Sequence, residues 1–202
     1  MPWPRPLMQP KPLDRLTSLF VGAIEPAVPA DARRFIYIHD PDDMDTGLYD
    51  ETGLLPRSWI YNEDPELRPI EDGLIGLAAW MSNFVRDSSW ESGVVIELFG
   101  RINMAIVTNA IPLSSYQEGR DVAPYAIRRS QLEKCFAEGG TPEVRLVGNI
   151  PMMTKAGVLD PAKLRKVCQD YRMDGAILKS NDAYWCAAEP TWYAYNIADE
   201  EF

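Results

Sequence analysis

The sequence is poor in the residues that build common reactive centres: it has one histidine, three cysteines and no glycine-rich loop. With His39 alone, a multi-histidine metal centre is excluded. Cys135, Cys168 and Cys186 are too far apart, with no C-x-x-C pair, to predict a zinc site. An odd cysteine count without a secretion signal fits a reducing compartment, where a buried thiol acts as a small apolar side chain. Neither a GxGxxG turn nor a Walker loop is present, which removes support for the common dinucleotide and phosphate-cradle folds. No serine or cysteine stands in a nucleophile elbow. Long apolar runs are also missing. The longest, Leu74 to Met81, is broken by Gly76 and is far shorter than a bilayer span. The opening MPWPRPLMQPKP lacks the apolar stretch of a signal peptide, so a cytoplasmic chain with no membrane partner is expected. Cations are scarce as well. Twenty Lys and Arg against 30 Asp and Glu leave a formal charge of −10, which disfavours a nucleic-acid grip spread over the whole surface.

What remains is ample material for a core. Of 202 residues, 46% are apolar, and 6 Trp, 9 Tyr and 6 Phe are among them. One domain, or one domain plus an arm, is expected at this length. Seven of the 17 prolines fall in the first 30 residues. That spacing predicts a Pro-rich arm over 1–30, extended or partner-binding, followed by a single domain over 31–202. Within the arm, apolar residues at 13, 16, 19, 20 and 24 predict a short helix. From Asp31 to Asp72 the local charge is −8, whereas Arg129 to Lys179 carries 9 cations and 6 anions. Such asymmetry suits separate faces for separate partners or plain solvated surface. Asp40, Asp42, Asp43 and Asp45 fail as a calcium loop, since Met44 occupies the fifth position, which needs a ligand, and the required glycine is missing.

Six short β-rich segments stand out: 34–39, 93–99, 102–108, 143–147, 176–179 and 192–197. Two further helices are expected. One runs from Ser130 to Glu138, with Ser130 as cap and Glu133 three residues on; the other runs from Pro161 to Tyr171 behind Asp160. Strands and helices do not alternate as in a doubly wound fold, so the expected class is α+β with split, mainly antiparallel sheets and a few flanking helices.

Three pieces come in a suggestive order. A strand ends in His39, with a Gly-Leu-Leu-Pro turn at 53–56. Ala78-Ala79-Trp80-Met81-Ser82-Asn83 follows, and then Pro142-Glu143-Val144-Arg145-Leu146-Val147-Gly148-Asn149-Ile150-Pro151. This order resembles the ADP-ribosyltransferase superfamily, particularly its polymorphic-toxin and DNA-modifying toxin branches, over about residues 34–151. The resemblance implies a transferase of the glycosyltransferase class that uses NAD as co-substrate. Glu143 would be the catalytic glutamate and His39 the partner of the nicotinamide ribose, with Tyr37, Trp80 and Ser82 lining the cofactor pocket. The ADP-ribose acceptor would be a protein or nucleic acid, and an inhibitor or antitoxin partner would fit a toxin. Thr141, two before Glu143, departs from arginine-directed relatives, and the Ser-Thr-Ser motif is absent.

The residue types suit that chemistry. A carboxylate facing the ribose stabilises oxocarbenium charge, and it can orient the incoming nucleophile. No metal is required. Each residue also has a plainer role. His39 suits a strand edge, Glu143 a solvated strand position, Trp80 the core, and Arg128 with Arg129 an exposed helix entry. The aromatic cluster Tyr184, Trp185, Trp192, Tyr193 and Tyr195 suits a last sheet layer. The alternative function is a non-enzymatic acidic interaction or inhibitor protein, viral or plasmid encoded, whose carboxylates imitate a DNA backbone.

Overall fold

A computed structural model describes residues 11–12, 21–42, 46–50, 53–54, 68–85, 88–101, 104–153, 161–188 and 191–197. Most of the Pro-rich arm, residues 51–52 and 55–67 of the acidic stretch, and the Asp160 cap position lie outside them. Thirteen strands and four helices are placed. In chain order they are β1 (Lys11–Pro12), β2 (Val21–Pro26), β3 (Arg33–His39), β4 (Gly47–Asp50), β5 (Gly53–Leu54) and α1 (Arg68–Phe84). After a 3₁₀ turn at Ser88–Ser92 come β6 (Val94–Arg101), β7 (Met104–Pro112), α2 (Leu113–Glu118), β8 (Arg120–Pro124) and α3 (Tyr125–Gly139). The chain continues through β9 (Val144–Leu146), β10 (Ile150–Met153), α4 (Pro161–Asp170), β11 (Gly175–Ser180), β12 (Tyr184–Cys186) and β13 (Tyr193–Asn196).

The class is α+β with mostly antiparallel sheets. A six-stranded sheet runs β5-β4-β3-β6-β7-β9, a five-stranded sheet runs β1-β13-β11-β2-β10, and β12 pairs with β8. Only β7 with β9 and β1 with β13 are parallel. The apolar residues at the end of the expected N-terminal helix instead form β2. That strand lies inside the five-stranded sheet between β11 and β10, where four of its six residues are buried. Gly22 belongs there because β11 passes so close that a Cβ would lie 2.0 Å from the Lys179 carbonyl oxygen.

Alternation along the six-stranded sheet divides its side chains between two cores. Phe35, Tyr37, Ile96, Leu98, Ala105 and Val107 face α1 and α3, packing with Leu74, Leu77, Met81, Leu132 and Cys135. Ile36, Ile38, Val95 and Ile111 face the other way, onto Tyr116 and Trp185. A third core lies under α4, where Leu164 and Cys168 meet Ile24, Ala176 and Leu178.

Helix α3 begins five residues before Ser130. Pro124 occupies the N-cap position without a side-chain hydrogen bond. Its buried residues, Tyr125, Arg128, Leu132 and Cys135, recur at helical spacing, but an arginine fills one of the core positions. No helix among the described residues is long and apolar enough to cross a membrane.

Candidate functional site

Along the second face of the six-stranded sheet, chemistry changes from one end to the other. At one end it carries Ile38, Val95 and Ile111; at the other, Arg34, Glu97 and Asn109. The five-stranded sheet meets the polar end, and a cleft lies between them. Arg34, Phe35, Glu97, Phe99 and Thr108 line it from one sheet, with Glu25, Ile177, Lys179 and Trp192 opposite. Counting its mouth, the cleft encloses about 500 Å³, but only about 30 Å³ of it admits the centre of a water-sized sphere. The smaller figure governs what fits in the conformation described, namely one or two waters.

A β-bulge shapes the inner wall. Glu97 pairs with Asn109 and Leu98 with Val107, so Thr108 is an extra residue opposed by none. The Thr108 hydroxyl donates to the Glu97 carbonyl at 3.2 Å, and its own carbonyl accepts from Lys179 Nζ at 2.9 Å across the cleft. Lys179 is fully buried. Its Nζ stands 2.7 Å from Glu25 Oε2 and 4.1 Å from the centre of the Trp192 ring. Burial pulls the Lys179 pKa below the usual lysine value, and Glu25 opposes that pull.

The second oxygen of Glu25 accepts a 2.6 Å hydrogen bond from the Tyr125 hydroxyl and lies 3.6 Å from Arg129 Nη1. Burial, with Glu25 next, drives the Tyr125 pKa well above the ordinary tyrosine value. Behind it, all three nitrogens of Arg128 have acceptors. It pairs with Asp121 at 3.0 Å and donates to the Ala123 carbonyl at 3.2 Å, to Asn109 Oδ1 and to the Ala183 carbonyl at 3.4 Å. At 1% exposure, Arg128 is a core residue rather than an exposed helix entry. Arg34 differs from it. It lines the cleft with no hydrogen-bond or ion-pair partner among the described residues; burial lowers its pKa and the field of Glu97 raises it.

The structure separates the residues singled out from sequence. His39 pairs with Val94 at one end of the six-stranded sheet. Glu143 lies at the other end, where its carbonyl accepts from the Ala105 amide, and Ala105 stands opposite Gly100 and, beyond it, Arg33. Six steps along β3 put them roughly 20 Å apart, so they do not meet across one cleft. Tyr37 is 2% exposed within the α1-side core, against which Trp80 packs. Ser82 Oγ and His39 Nδ1 are buried without hydrogen-bond partners. Of the aromatic cluster, Trp185, Trp192 and Tyr195 are buried, whereas Tyr184 and Tyr193 are exposed.

Sequence reasoning passed over Glu25 and Glu97 and weighed Lys179 only as the nearest cation to the terminal aromatic cluster, and a signal for all three existed. Each is the single charged residue inside a short run of β-formers (GAIEP, VVIELF and GAILK), where a charge is costly unless it is paired.

Two sheets around a polar cleft make up the α+β fold, and comparison with solved structures shows where that fold recurs. The chain is similar to a structure titled "Pmar-Lig_Pre." (TM-score 0.62, 13% identity), covering 95% of this chain and 46% of that one. It is similar to "Pmar-Lig_PreS3" (TM-score 0.58, 13% identity; 88% and 43%). It also resembles the ATP-dependent DNA ligase from bacteriophage T7 in complex with ATP (TM-score 0.51, 11% identity; 87% and 62%). The chain therefore spans less than two thirds of each of these proteins. No family model and no curated protein matches it. These likenesses concern the fold, and they overturn the ADP-ribosyltransferase resemblance together with the toxin and transferase activity drawn from it. The NAD assignment had no support apart from that resemblance.

Proposed function

We propose that the chain is a ligase-fold domain that holds the phosphate chain of an ATP-class nucleotide in the cleft between its two sheets. The observation that carries this reading is Arg34, a guanidinium lining the cleft with no acceptor among the described residues. A guanidinium offers a planar fork of donors matched to phosphate oxygens. Lys179 adds a second cation on the opposite wall, while Phe99 and Trp192 supply apolar surface for a base. The ATP complex of a structure sharing the fold supports the nucleotide class. Admission of a nucleotide requires the sheets to part at Trp192, since the space now present accepts only water. Joining of DNA ends is outside this reading. The chain spans under half of the first two ligase-titled structures, and its charge of −10 opposes a phosphate-backbone grip.

Titration calorimetry with ATP, inorganic triphosphate and NAD⁺ tests the proposal. ATP is expected to bind, and Arg34→Gln to weaken it about 10- to 100-fold, the range for a hydrogen bond to a charged group. Absence of heat and of any melting shift at millimolar ATP would overturn it.

A further inference from the structure

Lys179 is an amine inside a cleft read as taking a nucleotide, and its surroundings say which of two roles it plays. A buried lysine can be a nucleophile, which requires a neutral amine with its lone pair aimed at phosphorus. It can also be a counter-ion, which requires the ammonium to be held. An ammonium has three N–H bonds. One points to the Glu25 carboxylate at 2.7 Å, and another to the Thr108 carbonyl at 2.9 Å. The Trp192 ring face, 4.1 Å away, supplies a third contact that rewards positive charge. A carboxylate, a carbonyl and a ring face thus surround the nitrogen, an arrangement that suits an ammonium.

Glu25 is itself held in place from its other oxygen. It accepts from the Tyr125 hydroxyl at 2.6 Å and faces Arg129 at 3.6 Å. Burial favours the neutral amine, but a carboxylate in direct contact offsets that cost. The other hydroxyl lining the cleft, that of Thr108, spends its proton on the Glu97 backbone carbonyl.

We infer that this cleft holds its nucleotide without a covalent bond to any of the described residues that line it, with Lys179 as a fixed counter-ion shared between Glu25 and the bound phosphates. The inference rests on the nucleotide reading above, and the two can fail separately.

The test uses the full chain with ATP and Mg²⁺, followed in two ways. Calorimetry reports binding, and intact mass after denaturation reports any covalently attached nucleoside monophosphate. Binding with an unchanged denatured mass is expected. A mass gain of one nucleoside monophosphate, mapped to Lys179 or another residue lining the cleft, overturns the inference while leaving nucleotide binding standing. No binding and no mass gain overturns the underlying reading and the inference with it. Variants sharpen the role, provided their melting curves show folded protein. Lys179→Arg, which keeps the charge, should bind within about tenfold of the parent, whereas Lys179→Met should lose about tenfold or more. Equal losses in both folded variants would remove Lys179 as a counter-ion.

Discussion

The two faces of the six-stranded sheet solve the problem of burial in opposite ways. Toward α1 and α3, Phe35, Tyr37, Ile96, Leu98 and Val107 interlock with Leu74, Met81 and Leu132, with apolar side chains throughout. Toward the five-stranded sheet, the same strands offer Arg34, Glu97 and Asn109, which are completed by Glu25, Lys179, Arg128 and Asp121. The first face gains from area removed from water, without directional demands. The second is stable only while each charge keeps its partners, and removing one leaves the others stranded in a low dielectric. A face organised in this way is poor at storing stability and well suited to receiving a charged ligand.

Breaking one side of the polar junction should produce the largest effect. Arg128→Met strands Asp121 and should cost about 3–5 kcal/mol in urea unfolding, whereas adding Asp121→Asn should restore part of that loss. A loss under 1 kcal/mol would show that the junction tolerates unpaired charge. On the apolar face, Phe35→Ala should cost about 3–5 kcal/mol, and no second substitution nearby should rescue it as pairing does for Arg128.

Tyr125→Phe removes one donor from Glu25 and should cost about 1–3 kcal/mol. Alkaline pH probes both faces at once. Burial pushes the Cys135 thiol up to about 12. The native state therefore keeps this proton while the unfolded chain, with a thiol pKa near the ordinary ~8.5, releases it. Stability should fall as pH rises from about 9 to 12, at no more than about 1.4 kcal/mol per pH unit from this group. Cys135→Ala should make the fall shallower, and an unchanged slope would remove Cys135 as its source. Tyr125, also raised, continues the decline above pH 10. Smallest of all, Asp170→Asn breaks the exposed Lys166–Asp170 pair at 2.9 Å and should change stability by less than about 0.5 kcal/mol.

Some sheet strands were legible as short runs of β-formers, whereas β2, β4, β8, β10 and β12 were not expected. Segments 34–39, 93–99, 176–179 and 192–197 fall within two residues of β3, β6, β11 and β13. The expected strand at 102–108 stops where alternation stops, and β7 shows why. Ala105 and Val107 face α1, Thr108 is the bulge, and Ala110 rather than Asn109 resumes that face. One inserted residue shifts the period, so a strict two-residue rhythm loses the strand's second half. Helix α3 was shortened for a different reason. Arg128 sits in its apolar stripe, while Ser130 and Glu133 imitate a start signal. The site itself was illegible as a motif. It is assembled from single charges on β2, β3, β6 and β11, which meet only after both sheets have formed. The short order His39, Trp80, Glu143 was visible in the sequence, yet its two ends lie at opposite ends of the sheet.

The extra residue in β7 has an implication for length variation. Deleting Thr108 would leave Val107 and Asn109 opposite Leu98 and Glu97 in unbroken register, with every other β7 side chain on its present face. The shortened protein could keep its architecture and lose only the carbonyl that reaches across to Lys179. In this fold, a one-residue change in chain length can therefore remove one link between the two sheets while the contacts of Glu25 with Tyr125 and Arg129 stay in place.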